Sequence, residues 1–106
     1  MADIQFTNGN ITTTGGEDIL FDVIGEKYYS CWVFCGNMTS AETIQFRGYV
    51  LDAQSNTMVK FIDESISGVQ TSPGIYIHLL PATEYRISIT RTAGTDKQYN
   101  WLRAEV

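Results

Sequence analysis

The chain has 106 residues, 43% of them hydrophobic and 18% charged, with a formal net charge of −5. That length is one domain, long enough to bury roughly 65% of the unfolded surface, and the composition is too apolar for a disordered chain. Seven Lys and Arg with no basic stripe exclude binding along a phosphate backbone, and apolar runs of only a few residues exclude a membrane-spanning helix, so nucleic acid and membrane are not expected partners.

Met1-Ala2-Asp3 shows no basic residue and no apolar run of the kind a secretory signal carries, which predicts a chain made and kept in a cytoplasm, or released by lysis. Residues 1–17 are polar and turn-rich and read as an N-terminal arm; residues 18–106 read as a single β-sandwich domain. Within the arm, Asn8-Gly9 tolerates positive φ at both positions and predicts a hairpin pairing residues 3–6 with 10–13.

From Asp18 onward apolar and polar residues alternate with a period of two. DILFDV (18–23) predicts a short strand, residues 24–27 a turn, and YYSCWVFC (28–35) a long strand. ETIQFRGYVLD (42–52) sets Ile44, Phe46, Gly48 and Val50 on one face, and residues 57–62 return beside it. After a turn at Thr71-Ser72-Pro73-Gly74, IYIHLL (75–80) predicts a further strand that Pro81 ends, because proline cannot donate to a ladder. Tyr85, Ile87 and Ile89 then point inward, with Arg86, Ser88 and Thr90 outward. A turn at Ala93-Gly94-Thr95-Asp96 predicts a terminal hairpin whose second strand carries Tyr99 and Trp101 on one face. Seven or eight short strands and no helical stripe give an all-β antiparallel β-sandwich, jelly-roll-like or alternatively immunoglobulin-like.

No chemistry-bearing constellation emerges. His78 is the only imidazole and has no nucleophile elbow beside it. Asp63 and Glu64 are strand neighbours that face opposite ways. Cys31 and Cys35 lie four apart, roughly 13 Å along an extended strand, too far to bridge, and read as buried free thiols. The expectation is a protein that is not an enzyme and uses no cofactor or metal.

The informative anomaly is residues 28–35, apolar on both sides: Tyr29, Cys31, Val33 and Cys35 against Tyr28, Trp32 and Phe34. A sandwich strand normally shows one side to water, so this one calls for a second cover, and another subunit is the simplest. Tyr76 and Leu80 beside His78 repeat the feature. Tyr28, Trp32, Phe34, Tyr76, His78 and Leu80 are therefore the expected interface of a homo-oligomer, with a trimer as one expected form.

SGVQTSPGIYIHLLPA (67–82), followed by RISITRTAGTDKQYNW (86–101), resembles a pattern in small structural proteins of tailed phages, prophages and archaeal viruses: a Ser/Thr-Gly-x-Gln-Thr/Ser-x-Pro turn into an alternating strand, then Thr-Ala-Gly-Thr before an aromatic final strand. Ser67, Gly68, Gln70, Thr71, Pro73, Thr92, Ala93, Gly94, Thr95, Tyr99 and Trp101 are the matching positions. The resemblance implies a virion component, a capsid decoration or surface protein that contacts the viral capsid protein and itself. The alternative is a carbohydrate-binding β-sandwich module of a phage fibre or secreted protein, stacking sugars on exposed aromatics.

Overall fold

The computed structural model describes residues 4–70 and 74–105, and for residues 25–28 and 74–82 the backbone alone. Six strands follow in chain order: β1 (Gln5–Thr12), β2 (Glu17–Phe34), β3 (Thr43–Asp52), β4 (Thr57–Ser67), β5 (Gly74–Ala93) and β6 (Gln98–Glu105). All pairings are antiparallel, in the order β1-β6-β2-β5-β3-β4.

Two of these strands are long enough to serve two layers. β2 has 18 residues and β5 has 20, and they pair along nearly their whole length. The register shifts between Ile24 and Lys27 and again between Lys27 and Tyr29, which bends the ribbon there. Beyond the bend, residues 29–34 of β2 pair with β6, while on the near side residues 85–93 of β5 pair with β3. One hydrogen-bonded sheet thus folds over on itself. Counting β2 and β5 as two segments each, eight segments in chain order form a first layer 1-8-3-6 and a second layer 2-7-4-5, the jelly-roll connection.

Between the layers lies one core of Leu20, Phe21, Tyr29, Cys31, Val33, Cys35, Met38, Ile44, Phe46, Tyr85, Ile87, Ile89, Tyr99 and Trp101. The Phe21 and Trp101 rings meet across the layers at 5.3 Å, and Tyr29 and Tyr85 meet edge-on at 5.8 Å beside the bend. The Arg103 guanidinium lies over both Phe21 and Trp101. Cys31 and Cys35 are free and buried, and burial pushes their thiols up to about 12 and about 11, leaving both protonated at neutral pH.

Several local expectations give way. Asn8-Gly9 makes no hairpin: it lies mid-strand, and the stretch read as an arm contributes an edge strand paired with β6 from Gln5↔Glu105 to Thr12↔Gln98. The glycine serves packing there, since a Cβ on Gly9 would sit 2.6 Å from Cζ2 and 2.8 Å from Cε2 of Trp101. Gly9→Ala should therefore lower stability by about 2 kcal/mol, because an extra carbon is forced against a ring held in the core; urea unfolding checks it. The turn expected at residues 24–27 is instead the bulged bend of β2. Pro81 does not end its strand, because it falls between paired Leu79 and Ala82 where no ladder partner is called on. The terminal hairpin is absent as well: β5 and β6 do not pair, and residues 94–97 carry the chain from one layer to the other.

That crossing is held by a polar clamp at one end of the sandwich. Glu42, 2% exposed, accepts bonds from the Thr39 N–H and hydroxyl at 2.8 Å each and from the Thr95 N–H, with Lys97 Nζ at 3.9 Å. The Thr39 bonds chiefly, then Thr95 and Lys97, hold the Glu42 carboxyl below its ordinary 4.5. A carboxylate with a depressed folded pKa stabilises above its unfolded value and loses that contribution as pH falls through the folded one. Acid unfolding below about pH 4.5 should accordingly be less steep in Glu42→Gln than in the wild type, which a urea series across pH 2–6 measures.

Candidate functional site

The outer faces of the two layers differ in kind. On the second layer, Glu17 Oε2 accepts from the Tyr49 and Ser88 hydroxyls, each at 2.7 Å, and lies 3.8 Å from Arg47. The Tyr49 and Ser88 bonds, followed by the positive charge of Arg47, hold the Glu17 carboxyl low. Arg47 also reaches Gln45, Thr90 and Asp63; Gln45 and Lys60 bond Asp63, and Arg86 pairs with Asp22 at 3.0 Å. Ser88, expected to point into water, is buried beneath this network. Ile19 is exposed there, but the face as a whole is a solvated, mutually paired polar surface.

The first layer presents the opposite character. Alternation along β2 buries Tyr29, Cys31 and Val33 and leaves Trp32 and Phe34 outside, each 41% exposed, their rings stacked 6.5 Å apart at 10°. The register sets Leu102 beside Trp32 and Asn100 beside Phe34 on β6. It then sets Asn8, Asn10 and Phe6 of β1 opposite Leu102, Asn100 and Ala104. Phe6 is 66% exposed. None of these outward positions is charged. Residues Asn8, Gly9, Asn10, Phe34, Asn100, Trp101 and Leu102 surround an open hollow of about 430 Å³.

Of the expected interface residues, Trp32 and Phe34 lie side by side on the outer face of the first layer. The backbone register places Tyr76 opposite Trp32 and His78 opposite Ser30. The side chains of Tyr28, Tyr76, His78 and Leu80 lie outside the described residues. Sequence reasoning missed Phe6, Leu102 and the three asparagines. Their signal is weak, since β1 alternates with polar residues on both faces and its place beside β6 is a property of the whole topology. Among the described residues, no group of three His, Cys, Asp or Glu is placed to hold a metal.

No family model matches the chain, and no curated protein matches it. Among solved structures, a subunit of Bacillus endospore appendages, described as disulfide-linked pili, superimposes with a TM-score of 0.58 over 97% of this chain and 85% of that one, at 14% identity. A chain of the infectious bursal disease virus Gx strain gives a TM-score of 0.51 at 11% identity, and a mutant VP2 protein of that virus, from derived T=1 particles, gives 0.51 at 13%. Each covers 98% of this chain, which in turn spans about a third of theirs, 32% and 31%. At such identities the likeness speaks for the fold, an all-β antiparallel sandwich of jelly-roll type.

Proposed function

We propose that this chain is a structural protein of a virion surface, a capsid decoration protein that works by homo-oligomeric and capsid contacts rather than by catalysis. One observation carries the reading: among the described residues, the first layer turns an uncharged surface bearing Phe6, Trp32, Phe34 and Leu102 to the outside, while the second layer ties charges into pairs. Fully covering a large apolar side chain is worth about 1.5–3 kcal/mol relative to leaving it in water, and an apolar patch of this kind marks a contact surface. The likeness to pilus and virus-particle subunits supports a building-block role, and the turn and strand motifs of residues 67–101 support the virion. Light scattering should return a multiple of 11.9 kDa, and the protein should co-sediment with virus particles from an infected host. A monomer at micromolar concentration that stays in the supernatant would overturn the reading.

A second reading is favoured by the hollow itself. Asn8, Asn10 and Asn100 offer amide donors and acceptors around the Phe34 ring, the pairing of polar amides with an aromatic platform that a sugar takes. Glycan-array binding lost in Asn100→Ala with folding intact would select this carbohydrate-binding role.

A further inference from the structure

The two end strands of the folded sheet, β1 and β4, are unequally defended. β4 carries Lys60, Asp63 and Glu64, an ion pair between the first two at 2.7 Å, and a register shift opposite Gly48 and Tyr49 that inserts an extra residue. Charges and bulges of this kind keep an edge from pairing with another chain. β1 has neither. Its eight residues, QFTNGNIT, pair with β6 without any register shift and contain no charge and no proline. No described strand lies on its outer side.

We infer that β1 pairs antiparallel with β1 of a second copy, closing a two-fold dimer in which the first layer continues from one molecule into the other. Two properties of the strand choose this occupant. A neutral strand can lie against itself in any register without opposing like charges, whereas β4 carries three charges that fit only some registers and a bulge that interrupts its ladder. Antiparallel pairing also sets outward residues against outward residues, so Phe6, Asn8 and Asn10 of the two copies fall on one side. The uncharged face of Leu102, Trp32 and Phe34 then doubles into one surface. Registers centred on Asn8 or on Gly9 both satisfy that rule. The contact is isologous and closes at two copies. This rests on the reading that the chain self-associates, but it uses an edge where that reading uses a face, so the two can fail separately.

The test is amide hydrogen exchange with light scattering on the full chain, from roughly 1 µM to roughly 1 mM, a range over which mass action shifts a weak dimer. The expected mass at the upper end is an even multiple of 11.9 kDa, twice it where the edge alone joins copies. Every second amide of β1, those turned away from β6, should slow by about tenfold or more, while the outer amides of β4 keep their rate. Asn8→Lys, which sets like charges beside the axis, should abolish the dimer and leave the circular dichroism unchanged. A monomer throughout, open-ended polymers from joining β1 to β4, or a dimer whose β1 amides exchange at an unchanged rate would each overturn the inference. Trp32→Ser separates it from the face reading. A Trp32→Ser dimer that retains β1 protection keeps the edge and removes the face, whereas dissociation of an oligomer whose β1 amides never slowed does the reverse.

Discussion

Replacing Gly94 with alanine is expected to destabilise the fold by about 3 kcal/mol, the sum of two separate penalties. Gly94 has φ +83°, a conformation that costs an L-residue about 1–2 kcal/mol. Its added Cβ would also lie 2.7 Å from Glu42 Oε2, 2.8 Å from the Ala41 carbonyl oxygen and 2.8 Å from Glu42 Cα. Two of those three atoms are backbone and cannot rotate aside, which adds about 1–3 kcal/mol of overlap. Gly68 supplies the control, since its φ is +76° but nothing lies within 4 Å of the position its Cβ would take. Gly68→Ala should therefore show the conformational cost alone, about 1 kcal/mol. Thermal unfolding separates them, because 3 kcal/mol moves the midpoint of a chain this size by more than about 10 °C. Equal losses at the two glycines would mean that the loop crossing from β5 to β6 is not pinned against Glu42.

That crossing also marks where reading the sequence stops. Alternation identified the inward faces of β3, β5 and β6 correctly: Ile44, Phe46, Tyr85, Ile87, Ile89, Tyr99 and Trp101 are all in the core. Alternation reports which side of a strand is buried and is silent on which strand lies beside it. A strand that leaves through a glycine turn to pair with its predecessor and one that leaves to join the opposite layer have the same pattern, so the last hairpin was expected and a layer change occurs. The same limit explains β2 and β5. Each was read as two strands, and each is two layer segments joined through a bulged bend, so eight segments fall within the expected seven or eight while the breaks between them do not occur. Asn8-Gly9 shows a local turn preference overridden by tertiary packing, because Trp101 needs the space beside Gly9.

The candidate face was legible only where a single strand carried the whole signal. Trp32 and Phe34 stand out because residues 28–35 leave an apolar residue on each side of one strand, a feature needing no knowledge of neighbours. Phe6 and Leu102 are ordinary apolar residues in their own strands and become part of a surface only through the β1-β6-β2 order.

Trp101→Ser and Trp32→Ser should have opposite consequences. Trp101 is 9% exposed, packed on Phe21 and beneath Arg103, and it fills the contact between layers. Truncating a buried tryptophan costs about 3–5 kcal/mol, a large part of the roughly 5–15 that a domain possesses, so this variant should be largely unfolded or lose most of its urea resistance. Trp32 stacks on Phe34 but is 41% exposed, and in an isolated molecule its loss should cost only about 1 kcal/mol. On the proposed reading its effect belongs to assembly, where another surface would cover the side chain. Light scattering of Trp32→Ser should show smaller particles than the wild type at the same concentration, with thermal unfolding of the dilute protein almost unchanged. The dilution matters, because any oligomer adds its binding free energy to the apparent stability and would blur the contrast. If both variants lose stability alike and neither changes the oligomer, Trp32 is fold material like Trp101, and the uncharged face would have to act through Phe6 and the asparagine hollow instead.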